Sequence, residues 1–185
     1  MADVSVRPAR DTDAADLAAV QVAAWRSGYA QVLPAATLDG LGGQQEAFAQ
    51  AWAEATVRPP TYRHRVLVAC EATTVVAGAS VGPAEDSDQD PGGAAEVFTL
   101  VDNPAHLRRG HGSRLLAASV DYLRGAGFST AVVWLDGHDV AALALFTTAG
   151  WATDGSTRAL DLDGDGSVVV DQLRLHTNLQ EGHAP

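Results

Sequence analysis

The sequence predicts an α/β layer built on a mixed sheet. Three observations carry that class. Strand-like and helix-like stretches follow one another in the order β, α, α, β, β, β, α, β, α, β, β. Arg65–Cys70 and Val75–Val81 are two strands joined by a short turn, an antiparallel pair. Ala94 to Leu116 reads as a strand, a short polar turn and the start of a helix.

Taken in order, Val4–Pro8 is a short alternating strand. Asp11-Thr12-Asp13 offers N-caps for a helix whose apolar face uses Leu17, Val20, Ala24 and Gly28. Trp25 and Tyr29, four apart, share one face of that helix. Gln44 to Thr56 forms a second helix, stopped by Arg58-Pro59-Pro60. Gly82 to Gly93 holds Glu85, Asp86, Asp88 and Asp90 with Pro and Gly, and is expected to be a solvated, mobile loop. Closed over a binding site, its carboxylates would attract a cationic amine.

Val97–Val101 is rich in β-branched and aromatic residues, and Asn103-Pro104 breaks the strand. Leu116, Val120 and Leu123 make the apolar stripe of the next helix, which Gly125-Ala126-Gly127 ends. Ser129–Leu135 is a strand carrying Trp134, and Asp139 caps a helix over Ala141–Phe146, closed by Gly150-Trp151. Ala159–Leu162 and Val168–Leu175 flank Asp161-Leu162-Asp163-Gly164-Asp165-Gly166, which matches half of a calcium loop. Gln172 stands where that loop needs its bidentate glutamate, so a hairpin turn is expected.

Composition bounds the function. The chain of 185 residues fits one domain, expected over 1–176, with a frayed tail over 177–185. Net charge is −11, from 12 basic and 23 acidic side chains, which argues against nucleic acid or an anionic membrane as partner. A cationic small substrate is compatible with that charge, and so is plain solubility. The single Cys70, read as a small buried hydrophobe, and the lack of an apolar leader suggest a cytoplasmic protein. The six histidines show no ligand spacing, and His106 and His111 share no helix face, so no metal is expected.

The chemistry lies at Arg108-Arg109-Gly110-His111-Gly112. Glycines allow φ > 0 and close approach, first-turn N–H groups point outward, and two guanidinium groups add positive potential, so a pyrophosphate suits the site. A glycine-rich turn with nothing bound is the alternative. No Gly-Lys-Ser/Thr follows, and Leu115 occupies the third glycine position of a dinucleotide fingerprint.

Glu96 to Leu116 resembles the strand–loop–helix signature of the GNAT superfamily, the acyl-CoA-dependent N-acyltransferases. Their Gln/Arg-x-x-Gly-x-Gly/Ala loop falls here on Leu107-Arg108-Arg109-Gly110-His111-Gly112, with leucine at the first position. The opening Arg7-Pro8-Ala9 and the Trp25–Tyr29 stretch are similar to family members too. The family's Asn-x-x-Ala-x-x-Phe-Tyr-x-x-x-Gly-Phe element falls on Asp139, Ala142, Leu145, Phe146, Gly150 and Trp151.

That resemblance implies a GNAT-like fold: a mixed, mostly antiparallel sheet of six to seven strands, helices on both faces, and a splayed central strand pair. It implies acetyl transfer from acetyl-CoA to a small-molecule or peptide amine. The family's glutamate base lies fourteen residues before the first loop glycine, which is Glu96 here. A structural ion pair is the other reading of Glu96. Cofactor contacts are implied for Leu100, Val101 and Asp102, for Leu107 through Ser113, and for Asp139 and Phe146. Trp25, Tyr29 and Trp134 are expected at the acceptor wall, although Trp25 and Tyr29 read equally as core. Many members protonate the departing thiolate with a tyrosine where this chain has Phe146; its loss slows turnover without forbidding it, and water, Tyr29 or another nearby hydroxyl could substitute. A homodimer is compatible with all of this. The competing class is a non-catalytic acyl-CoA-binding sensor or regulatory module.

Overall fold

The computed structural model describes residues 4–30, 33–161, 166 and 169–180. Its elements are β1 (Val4–Pro8), α1 (Ala14–Gly28), α2 (Ala35–Gly43), α3 (Gln45–Val57), β2 (Arg65–Glu71), β3 (Thr74–Pro83) and β4 (Ala94–Asp102). There follow α4 (His111–Gly125), β5 (Thr130–Asp136), α5 (Val140–Thr148), β6 (Ala152–Asp161) and β7 (Val169–Asn178). Single 3₁₀ turns precede α1 and α4, at Asp11–Asp13 and Pro104–His106. The strands form one sheet in the order β1-β2-β3-β4-β5-β7-β6. Only β4 and β5 run parallel; every other neighbouring pair is antiparallel.

Alternation along the strands sends their side chains into two cores. On one face Val81, Ala95, Val97, Ala131 and Val133 pack under α4 and α5 with Leu116, Leu123, Phe146 and Trp151. On the other, Val66, Val68, Cys70 and Val101 meet Leu17 and Ala18 of α1 and Trp52 of α3. Each such aliphatic side chain contributes about 1.5–3 kcal/mol by leaving water. The polar atom that enters this second core is satisfied, because the Trp52 indole N–H donates to Gln21 Oε1 at 2.7 Å. Where the chain leaves β1 for α1, Arg7 grips the Asp13 carboxylate through both nitrogens, at 2.6 and 2.9 Å.

The fold departs from the sequence-based expectation at several elements. α2 was not foreseen: it holds three glycines, Gly40, Gly42 and Gly43, and each costs a helix about 1 kcal/mol. Packing of Leu41, 8% exposed, compensates. β6 begins at Ala152 and β7 ends at Asn178, so the final hairpin is longer than expected. Most of the Asp-Gly turn, residues 162–165, lies outside the described residues, as does the tail 181–185. The domain extends past 176, since the Leu179 side chain is fully buried and its N–H donates to the Ser129 carbonyl at 2.8 Å.

Candidate active site

The two parallel strands part company after four residues. β4 and β5 pair from Ala94↔Thr130 to Val97↔Val133 and no further. At that point β4 is bulged, with Val97 opposite Val81 and Thr99 opposite Ser80, which leaves Phe98 as the extra residue. A bulge bends a strand and increases its twist. Beyond it, β4 stays with β3 and β5 stays with β7, so a cleft opens at their carboxyl ends. Such clefts are where ligands enter parallel sheets. Leu100, Val101 and Asp102 lie on the free stretch. The Leu100 and Val101 side chains enter the two cores, so toward the cleft these residues offer main-chain groups.

The loop from β4 to α4 is shaped for close approach. Arg108 and Gly110 both have positive φ, 62° and 78°. α4 starts at Gly110 with no side-chain cap, which leaves first-turn N–H groups to an outside acceptor. One of them is shared: the Gly112 N–H faces the Asp102 carboxylate. A Cβ on Gly112 would drive into Asp102 Oδ2, so a larger residue there would push the Asp102 carboxylate aside. Burial pushes Asp102 up to about 6, against the pull of that N–H. Leu107 and Ser113 are exposed.

One of the two guanidinium groups expected at the loop is spent elsewhere. Arg109 Nη1 is bound to Glu71 Oε1 at 2.8 Å, and Arg114 turns back to the Arg109 carbonyl at 2.9 Å. Positive potential at the mouth of α4 therefore comes from the helix itself more than from Arg109.

Glu96 is 6% exposed on β4 and accepts a hydrogen bond from the Glu85 N–H at 3.3 Å. Burial raises its pKa, the Glu85 N–H opposes that shift, and the negative charge of Asp86 adds to it. Its register partner is Val132, so alternation puts Glu96 on the sheet face that also carries Trp134 and Asp136. Among the described residues, no ion pair holds Glu96. On the same side a cavity of about 210 Å³ is lined by His64, Val66, Ser80, Glu85 and Phe98, with His64 stacked on Phe98 at 6.0 Å.

The three aromatic residues expected at an acceptor wall have different surroundings. Trp25 packs edge-on against Phe48 of α3, with ring centroids 5.2 Å apart. Tyr29, half-buried, sits within the field of Asp136 and Asp139, and its phenol is raised first by burial and then by those two charges. Trp134 donates its indole N–H to Asp86 at 2.8 Å and lies under the Arg158 and Arg174 guanidinium groups. Asp139 caps α5 by accepting from the Ala142 N–H at 2.9 Å. Phe146 is 1% exposed and T-stacked on Trp151 at 5.0 Å, a core residue with little surface for a ligand.

The acidic loop is anchored and not free. Arg174, 5% exposed, holds Asp86 at 3.0 Å, Asp88 at 2.6 Å and Asp154 at 2.7 Å. Those carboxylates are committed to Arg174, which removes Asp86 and Asp88 as lures for a cationic substrate. Arg174 holds Asp88 down to about 2. Sequence reading also missed Glu71, which the fold brings to His106 and His111: the three side chains present ligand atoms within 4.8 Å of one another. His106 and His111 alone were legible; the β2 residue that joins them was not. Among the described residues, no helix is long and apolar enough to cross a membrane.

Comparison with known proteins gives the same architecture. The structure resembles a PaiA N-acetyltransferase from Thermoplasma acidophilum solved with coenzyme A, with a TM-score of 0.71 and 13% identity, covering 95% of this chain and 99% of that one. It also resembles YncA, a putative acetyltransferase from Salmonella typhimurium solved with acetyl-CoA, with a TM-score of 0.66 and 19% identity, covering 99% and 98%. In sequence, the N-acetyltransferase YuaI of Bacillus subtilis, itself uncharacterized, is 30% identical over 133 residues, 71% of each chain. The model of the Acetyltransferase (GNAT) family matches residues 25–151, from Trp25 on α1 through the cleft to Trp151. The chain belongs to the GNAT acetyltransferase family.

Proposed function

We propose that this protein transfers an acetyl group from acetyl-CoA to a primary amine by direct attack, in the cleft between β4 and β5. The observation that carries the reading is the coincidence of three features. The strands separate after Val97 and Val133, the buried Glu96 carboxylate, held by the Glu85 N–H, stands at that point, and a helix N-terminus without a side-chain cap follows β4. When bound, acetyl-CoA supplies an activated acyl thioester.

The chain's residues would divide the work as follows. Main-chain N–H groups of Gly110 and His111 hold the diphosphate, with that of Gly112 shared with Asp102, where the helix dipole favours negative charge. Residues Leu100, Val101 and Asp102 give main-chain hydrogen bonds along β4, on the side where no strand pairs with them. An N–H at Val101 or Asp102 is aimed at the developing oxyanion. Glu96 takes the proton from the amine, directly or through water, because an ammonium with a pKa of ~10 has no lone pair to attack with. Its raised pKa makes it a better proton acceptor than an exposed carboxylate. Phe146 carries no proton for the leaving thiolate. The Tyr29 phenol, whose raised pKa keeps it protonated, is the residue we assign to that step. The acceptor approaches over the face of Glu96, Glu85 and Phe98.

Thiol release from acetyl-CoA with a panel of polyamines, amino acids, aminoglycosides and peptide amines tests the reaction. Amine-dependent thiol release is the expected result. Coenzyme A binding without thiol release from any amine would instead identify the non-catalytic acyl-CoA-binding module that the buried Phe146 favours.

A further inference from the structure

We propose that Glu71, His106 and His111 form a binding site for one zinc-like transition-metal dication, on the underside of the loop that leads into α4. The three residues come from the last position of β2, the 3₁₀ turn and the first position of α4. Their ligand atoms lie within 4.8 Å of one another, and His106 Nδ1 is already 2.7 Å from Glu71 Oε2.

His111 is the residue that points to a ligand. It is 2% exposed, and neither Nδ1 nor Nε2 has a hydrogen-bond partner among the described residues. A buried polar atom without a partner opposes folding, and a neutral imidazole hides one donor and one acceptor. Coordination through one nitrogen removes that cost on the acceptor side.

The donor set selects the class of ion. Two imidazoles and one carboxylate suit zinc, cobalt or nickel and disfavour magnesium and calcium, which take oxygen. With metal–ligand bonds of about 2.0–2.2 Å, tetrahedral ligand atoms stand ~3.3–3.5 Å apart. Side-chain rotations of roughly 1 Å bring the three to that spacing, leaving a fourth position for solvent. Arg109 shares Glu71 through Oε1 at 2.8 Å, but its side chain is 54% exposed. Because the Arg109 guanidinium reaches in from solvent, it can release Glu71 without being left buried and unpaired. An ion here would tie β2 to the loop and to the first turn of α4, so its effect would be to hold the loop in place.

The test uses tag-free full-length protein and Co²⁺ as the probe, without coenzyme A, so its outcome is independent of the acetyl-transfer reading. One equivalent is expected to bind and to give the visible absorption of four-coordinate cobalt, displaced by Zn²⁺. His106→Ala and Glu71→Gln, both with folding checked by circular dichroism, are expected to lose that spectrum. His64→Ala and His138→Ala are expected to keep it. Absence of a one-to-one complex in the parent, or a spectrum unchanged in both His106→Ala and Glu71→Gln, overturns the site.

Discussion

The Asp102 carboxylate stands against the Gly112 backbone N–H, so the end of β4 and the first turn of α4 meet through one half-buried carboxyl group. Burial lifts Asp102 to about 6, above its ordinary value near 3.8, so its ionisation opposes folding. The sign follows: nothing is lost below about pH 4, and the penalty is complete once the pH has risen through about 6. Its size is on the order of 2–3 kcal/mol. Asp102→Asn is therefore expected to be more stable than the parent at pH 7.5 and level with it at pH 4. The same substitution removes a negative charge from the proposed diphosphate site and should tighten coenzyme A binding several-fold at pH 7.5. Thermal melts and calorimetry at the two pH values check both. A stability difference that does not change with pH contradicts the account.

Glu96→Gln keeps the shape and the hydrogen bond from Glu85 while removing the proton acceptor. Turnover is expected to fall by about 10²–10⁴, with partial recovery at high pH as free amine becomes available. In the parent, the acidic limb of kcat/KM should lie above the usual glutamate range, because burial raises Glu96. A variant with the parent's pH profile would remove Glu96 from the mechanism.

Tyr29→Phe tests the leaving-group step. If the phenol protonates the thiolate, kcat falls while coenzyme A affinity stays. A thiol with pKa of about 8.5 leaves tolerably by itself near neutrality, so the fall should be about tenfold or more and should shrink for an acyl donor with a more acidic thiol. Equal kcat in the two proteins would show that the thiolate departs unaided.

Much of this arrangement could be read from the chain before the structure. The β4–loop–α4 unit is local: a β-branched run, a proline break and two glycines in sequence each specify their own conformation. Glu96 became a candidate through the family resemblance, which sets the base fourteen residues before the first loop glycine, a distance that one strand and one loop fix. What stayed hidden is tertiary. Asp102 and Gly112 are ten residues apart and meet only because the loop folds back. Glu71 reaches His106 across the β2–β3 end of the sheet, and Asp86 meets Arg174 from 88 positions away. α2 was hidden for a different reason, since its glycines oppose a helix that only packing of Leu41 supports.

Arg174 is the clasp of the acidic loop. Arg174→Ala leaves Asp86, Asp88 and Asp154 close together without their cation, so like charges repel where one buried guanidinium had held them. The variant is expected to melt lower and to be cut by protease within 84–93. Asp88, held down to about 2, adds stability that is present above its ordinary value near 3.8 and is lost as pH falls through about 2. The parent's advantage over the variant should therefore shrink in acid. Equal protease resistance in the two proteins would show that the loop needs no clasp.

The most direct measurement is a coenzyme A titration by calorimetry of the parent beside Gly110→Asp. Gly110 has φ of 78° and opens α4, so aspartate there adds both backbone strain and a negative charge where the diphosphate is held. The account predicts one saturable site in the parent and binding too weak to measure in the variant. Equal affinity in the two would contradict it.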